Sequence, residues 1–303
     1  RAFWFRAPNY IPYTGTPEGW PEALAAILRD RDITDIVLYG DTRPIHATAV
    51  EQAKAAGIEV HVFEEGYLRP YWVTYERGGS NGHSRLMTLG VPEMQRALDN
   101  THLDMPEPPA HWGDMRQHVF YGALYHWFVM FANRRYAGFK PHRDLPVSTE
   151  AALYFKRLAL MPLTALDRIV ATARIRRGGF PYHLVLLQLE HDSSFQMHSP
   201  FERAEDFIET VIAGFAKGAP QHHHLVFKAH PLENGRSPLR RIIRDRGTHY
   251  GVAERCHYVR GGKLARLLDH ARTAVTVNST AAQQVLWRGI PLKIFGDAVY
   301  AKP

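Results

Sequence analysis

Two adjacent carboxylates, Glu64 and Glu65, follow the alternating run Ile58-Glu59-Val60-His61-Val62-Phe63. The alternation predicts a strand of a parallel sheet that delivers both acids to its C-terminal end. Open α/β sheets place ligands outside that end, and Gly66 permits a sharp exit that leaves the acids projecting. Alternation puts the two on opposite sides, and Glu65, next to Gly66, is the choice for the inward side. A solvated surface pair is the competing reading. Asp192, in Gln188-Leu189-Glu190-His191-Asp192-Ser193-Ser194, supplies a third acid and reads equally as an N-cap or turn residue. Two carboxylates flanking one sugar are what glycosyl chemistry uses, one as acid/base and one as nucleophile or ion stabiliser.

A second constellation comes from strand ends in the latter part of the chain. These are Gln188 to Asp192, then Lys228 with His230-Pro231, then Asn278-Ser279-Thr280. One parallel sheet places them all on one edge, with Ser279-Thr280 opening a helix whose free amides and hydroxyls favour a phosphate. Taken singly, Ser279-Thr280 is a plain N-cap and His230 a satisfied strand-end histidine. Together they form a nucleotide-phosphate site without a Walker loop. His222-His223-His224 alternate faces on an incoming strand with no carboxylate at ligand spacing, so no metal site is expected. Gly261-Gly262-Lys263 and the glycine-rich stretch 78–84 lack phosphate-loop spacing.

The elements that must position these groups repeat as β-α-β. A helix from Trp20 to about Arg29 precedes a strand at 35–40, whose exit is Gly40-Asp41-Thr42-Arg43-Pro44. A helix from Ile45 to Ala56 leads to the strand at 58–63 and the turn carrying Glu64-Glu65, giving a parallel sheet. After Pro70 the pattern loosens. A Pro-rich linker falls at 104–113, and an aromatic segment at 115–131 reads as core or lipid contact. Arg134, Arg135, Lys140, His142 and Arg143 follow it, a basic stretch suited to an anionic bilayer. Two helices over about 149–176 precede a second β-α series. Its strands are expected at 183–188, 224–228, 256–259, 273–277 and 290–295, with helices at 202–216, 237–246, 263–270 and 280–288.

The 303 residues suit two ordinary domains. A single cysteine, Cys256, excludes a disulfide scaffold and fits a reducing compartment. A net charge of +7 points to anionic partners. No apolar run reaches membrane-spanning length, and Arg1 to Arg6 do not form a secretory signal. A cytoplasmic protein touching a membrane surface is the expectation.

Phe63-Glu64-Glu65-Gly66-Tyr67-Leu68-Arg69-Pro70, with Gly40 to Pro44, Gln188 to Asp192, Lys228-Ala229-His230-Pro231 and Asn278-Ser279-Thr280, resembles the bacterial capsule polysaccharide biosynthesis/export family. Within it the chain looks most like the β-Kdo glycosyltransferases that build a Kdo linker on phosphatidylglycerol. The resemblance implies an α/β, GT-B-like fold of two Rossmann-like domains facing a central cleft. The expected division is an acceptor-side domain at 1–145, a helical connection at 146–182 and a CMP-sugar-binding domain at 183–303.

By resemblance, Asp192 is the nucleophile and Glu65 the acid/base of a retaining transfer from CMP-β-Kdo to a (lyso)phosphatidylglycerol acceptor. The reaction needs no metal or cofactor. Gln188, Lys228, His230, Pro231, Asn278, Ser279 and Thr280 fall to the donor, while Glu64, Gly66, Arg69, Asp41 and Arg43 fall to the supporting or acceptor side. Expected partners are CMP-Kdo, the lipid acceptor, the inner face of the inner membrane and other capsule assembly proteins, with no nucleic acid. Family members carry a strand before the position of Arg1 and continue beyond Pro303, so the N-terminal sheet is expected to lack its first strand here. The rivals are an inverting, sialyltransferase-like CMP-sugar transferase, a non-enzymatic capsule export or assembly subunit, and a nucleotide-sugar epimerase.

Overall fold

The computed structural model describes residues 10–66, 72–101, 115–136, 138, 145–233, 235–260 and 263–302. Arg69 with Tyr67, Leu68 and Pro70, the 104–113 linker, Lys140, His142, Arg143 and the Gly261-Gly262 pair lie outside them. The chain divides into two compact units, one running through Ala151 and joined by Lys302, the other from Ala152 through Ala301.

In the first unit, α1 (Trp20–Asp30) starts with proline in its first turn, where the missing N–H leaves no bond unmade. Leu24 and Leu28, one turn apart, are buried against Ala49 of α2 (Pro44–Ala55) and against Ile36 and Leu38 of β1 (Asp35–Tyr39). Gly57 ends this crossover at φ +70°, a conformation that glycine adopts without strain. The chain then enters β2 (Glu59–Glu65), which pairs parallel with β1.

The next strand departs from the expected parallel series. β3 (Val73–Arg77) returns antiparallel on β2, with Glu64 opposite Thr74 and Glu65 opposite Val73. The two acids are therefore the last residues of a paired strand, and no loose turn carries them. A close backbone approach requires glycine at 66. Its N–H donates to the Trp72 carbonyl at 2.9 Å, and a Cβ there would sit 2.2 Å from that oxygen.

Two helices complete the described part of this unit, α3 (Val91–Asp99) and the aromatic α4 (Met115–Phe131). Core packing is not what the α4 aromatics show: Phe120, Tyr121, Tyr125, Trp127 and Phe131 are all exposed.

The second unit begins within α5 (Val147–Ala159), which runs into α6 (Met161–Arg177) with only Leu160 between. Helical hydrogen bonds cross the junction, from Leu160 N–H to the Lys156 carbonyl and from Thr164 N–H to the Leu160 carbonyl. One stripe of this rod, including Phe155, Leu158, Leu163, Leu166 and Ile169, is more than half exposed throughout.

Five parallel strands follow: β4 (Tyr182–Leu186), β5 (His224–Lys228), β6 (Cys256–Val259), β7 (Ala271–Thr276) and β8 (Leu292–Ile294). Their helices are α7 (Ser193–His198), α8 (Ala204–Gly218), α9 (Leu239–His249), α10 (Leu264–Leu268) and α11 (Gln283–Leu286). The strand order is β6-β5-β4-β7-β8. The chain therefore builds outward from β4 in one direction, then crosses back to build β7 and β8 on its other side. That reversal is the Rossmann-type arrangement.

Both faces of the sheet are covered. Val185, Leu225 and Phe227 pack against Phe207, Ile208 and Ile212 of α8, while Leu184, Val226 and Ala274 pack against Leu267, Leu268, Val285 and Ile175. Burial on both sides explains why β4 and β5 read as continuous apolar runs without alternation. Each fully buried large side chain contributes about 1.5–3 kcal/mol. Cys256, at the start of the edge strand β6, is half-buried.

Candidate active site

A doubly wound sheet opens a crevice where its strand order reverses, at the C-terminal ends of the strands on either side. In the second unit that point lies between β4 and β7, and the residues leaving those strands are Gln188 and Asn278. Their amides join. Gln188 Nε2 donates to Asn278 Oδ1 at 2.7 Å, and the Asn278 backbone N–H donates to Gln188 Oε1 at 2.9 Å. Asn278 Nδ2 then donates to the Ser194 carbonyl at 2.8 Å and the His198 carbonyl at 3.1 Å. The two amides expected at the donor thus also hold each other, and Asn278 holds α7.

Asp192 holds the N-cap position of α7 at φ −73°, ψ 135° without its side chain capping the helix, and it is exposed. Its loop is fixed from both sides. Gln196 Nε2 donates to the Glu190 carbonyl at 3.0 Å, and Glu190 Oε2 accepts the Ala204 N–H at 2.9 Å at the start of α8.

Lys228 ends β5 opposite Leu186 of β4. Its side chain is 6% exposed, and its one hydrogen bond among the described residues goes from Nζ to the Ala229 carbonyl at 3.3 Å. Burial holds the ammonium down to about 8. A buried cation at the crevice edge, with donor capacity unspent, is suited to an anion.

His230 Nδ1 accepts the Leu232 N–H at 3.1 Å, which places the ring proton of the neutral form on Nε2. The Pro231 carbonyl accepts from Arg157 at 2.9 Å, so Pro231 shapes the loop from the protein side. Ser279 Oγ accepts the Ala281 N–H at 3.2 Å, and the Ser279 N–H donates to Thr276 Oγ1 at 3.4 Å. Beyond it, Thr280–Ala282 forms one 3₁₀ turn before the four residues of α11. The helix expected at 280–288 is therefore shorter, running from Thr280 to Leu286 and opening as a 3₁₀ turn, and its dipole contributes little here.

In the first unit, strand pairing separates the two acids. Glu64 shares the face of the buried Val60 and Val62 and is half-buried, whereas Glu65 is on the opposite, exposed side. Glu64 Oε2 sits 3.0 Å from where a Gly40 Cβ would be, so glycine at 40 leaves room for it. Burial pushes the Glu64 carboxyl above its ordinary value, the Asp41 and Glu65 charges adding to the shift and Arg43 opposing it.

Asp41 is buried and committed to structure. It accepts from Ser80 N–H at 2.9 Å and His83 Nδ1 at 3.1 Å, pinning the 78–84 loop to the end of β1. Arg43 is the N-cap residue of α2, and its charge acts on the Glu64 carboxyl. Glu76, which sequence reasoning missed, accepts from the Ser84 hydroxyl and is also pushed up by burial. The only signal for it was the acid in Tyr75-Glu76-Arg77, and the strand there was not foreseen.

The histidines face elsewhere. His183 Nε2 lies 3.0 Å from His223 Nδ1, and His224 Nδ1 lies 2.8 Å from His257 Nε2, with the Phe180 ring stacked on His224. Among the described residues, no group of three or more His, Cys, Asp or Glu side chains is placed to hold a metal ion. No described helix is long and apolar enough to cross a membrane.

Comparison with known proteins places this arrangement. A capsule polysaccharide export protein of Escherichia coli, KpsS, is 32% identical over 305 residues, covering 98% of this chain and 76% of that protein. A capsule polysaccharide modification protein of Neisseria meningitidis, LipB, is 29% identical over 304 residues, covering 97% and 70%. Among solved structures, a β-Kdo 2,7 transferase, KpsC of Thermosulfurimonas dismutans, aligns with a TM-score of 0.46 at 14% identity, over 92% of this chain and 70% of that one. That likeness is too loose to bear on activity. The model of the family described as capsule polysaccharide biosynthesis protein matches residues 34–303, so the sheets and strand ends described above are those of a member, and the chain belongs to the capsule polysaccharide biosynthesis protein family.

Proposed function

We propose that the chain is a retaining β-Kdo transferase, moving Kdo from CMP-β-Kdo to a (lyso)phosphatidylglycerol acceptor at the inner face of the inner membrane. Membership in the capsule biosynthesis family supplies the sugar-polymer context. The observation that carries the reading is the buried Lys228 ammonium on the same sheet edge as Ser279, Thr280 and Asp192. A cation fixed beside the leaving phosphate stabilises the charge that develops as the glycosidic C–O bond breaks.

Asp192 attacks the anomeric carbon and CMP departs with the bonding pair. The acceptor hydroxyl then displaces Asp192 while a glutamate of the β2 end takes its proton, so two inversions give net retention. Between the two glutamates, the half-buried Glu64 has the surroundings of a proton carrier, and Glu65 supports it. The exposed aromatics of α4 and the apolar stripe of α5–α6 offer surface to the lipid.

The experiment combines CMP-Kdo generated in situ with a short-chain phosphatidylglycerol. Proton NMR reads the product anomer, and intact-protein mass spectrometry looks for a Kdo adduct on Asp192. A β-product with a trapped adduct is expected. Transfer with inversion and no adduct would favour the sialyltransferase-like reaction. No CMP release with lipid acceptor would favour the assembly-subunit reading.

A further inference from the structure

The Gln188–Asn278 pair does more than close the end of the sheet. Asn278 is 5% exposed and sits immediately before the Ser279-Thr280 turn. Its side-chain amide reaches the other way, into α7, where it donates to two carbonyls, those of Ser194 and His198. Gln188 fills the remaining capacity of Asn278 and ties it to the end of β4.

From the β8 side, the Asp297 N–H donates to the same His198 carbonyl at 2.8 Å. Gly296 is bare where a Cβ would stand 2.6 Å from that oxygen. The buried Phe195 anchors the middle of α7. The helix that begins directly after Asp192 is therefore held at its first turn and its last residue by one side chain, and that side chain belongs to the residue preceding the Ser279-Thr280 turn.

We infer that Asn278 is a positioning residue. Braced by Gln188, it fixes α7 and hence Asp192 to the switch point, so that occupation of the 279–280 turn and placement of the Asp192 carboxylate are mechanically linked. This rests on the transferase reading for the role of Asp192, though the linkage itself does not require it. A carboxylate displaced by about 1 Å loses roughly 100-fold in rate, while the phosphate contacts of Lys228 and of the turn are untouched.

Two neutral variants, Asn278→Leu and Gln188→Met, remove the amides without adding charge. Gly296→Ala pushes on the His198 carbonyl from a position that carries no ligand-binding group. CMP affinity by calorimetry, transfer kinetics, and amide exchange of residues 193–198 with and without CMP are measured on the whole chain. Expected are wild-type CMP affinity and donor KM, kcat lowered about 100-fold, and loss of the CMP-induced protection of α7 in all three. Circular dichroism screens for folding, and Gly296→Ala serves if Asn278→Leu fails it.

The inference is overturned if CMP affinity falls in step with kcat, which would make Asn278 a direct ligand contact. It is overturned equally if α7 exchange with CMP matches wild type. If the wild type transfers no Kdo, the transferase reading fails alone. Exchange in α7, with or without CMP, then still decides the linkage, because the clamp must slow exchange there relative to the variants.

Discussion

Replacing Lys228 by methionine should make the second unit more stable and, on the proposed transferase reading, remove CMP binding. The ammonium is buried and held down to about 8 from an ordinary 10.5, a displacement caused by loss of water. In a folded chain of this kind the charged form is penalised. The penalty is complete at pH values below about 8, declines as pH rises toward 10.5, and vanishes above it. At pH 7 it amounts to about 3 kcal/mol. Methionine has similar length and no charge, and it forfeits one hydrogen bond to the Ala229 carbonyl, worth about 1 kcal/mol.

The net gain is therefore about 2 kcal/mol at pH 7, a rise of about 4–8 °C in the unfolding midpoint for a unit of this size. At pH 10 the wild-type penalty has dropped below about 1 kcal/mol, so the advantage of Lys228→Met should disappear or change sign. Thermal unfolding of both proteins at pH 7, 8.5 and 10, with CMP titrations at pH 7, reads both effects. A variant that unfolds at or below the wild-type temperature at pH 7, or a gap that stays constant up to pH 10, would refute the idea that a costly buried cation is retained for ligand.

Glu64→Gln should lower transfer by about 100-fold or more and remove the acidic limb of the pH–rate profile, which the raised Glu64 value places above that of an ordinary carboxylate; a larger loss from Glu65→Gln would move the role to Glu65. Burial pushes His257 down to about 4 and lowers its partner His224. Stability contributed by these neutral rings is present above about 6.5 and is lost as pH falls toward 4, by about 1–2 kcal/mol between pH 7 and 5 after allowing for solvent screening. His257→Phe should flatten that slope in urea titrations, and an unchanged slope would rule the pair out as its source. Phe155→Glu with Leu166→Glu should reduce cosedimentation with phosphatidylglycerol vesicles several-fold at unchanged CMP affinity, and equal sedimentation would remove the α5–α6 stripe as a lipid contact.

The second unit was the more legible in sequence because its strands are apolar on both faces and bounded by glycine, proline or polar turns. The expected strands at 224–228 and 256–259 match β5 and β6 residue for residue. The first unit misled after Pro70, where Val73-Thr74-Tyr75-Glu76-Arg77 mixes β-branched and charged residues. An antiparallel edge strand with one solvated face gives only that weak alternation. Without that strand, Glu64-Glu65 looked like a turn.

At the switch point, composition named Gln188 and Asn278 but not their pairing, because nothing in a sequence says that two amides 90 positions apart are bonded to each other. The short α7 was invisible because six residues give too little periodicity. The helix expected at 237–246 starts at Leu239, with Pro238 in the N-cap position and no side chain bonded there.

The lone thiol of β6 gives this chain an experimental convenience. Burial pushes Cys256 up to about 11. At pH 7.5 only about three in ten thousand of its sulfurs are ionised, against roughly one in ten for a solvent-exposed cysteine. Maleimide or nitroxide reagents should therefore pass over it and react at engineered surface cysteines some hundreds of times faster. Paired probes, one in each compact unit, can then report distances during donor binding by fluorescence transfer or electron resonance, with the natural cysteine left in place.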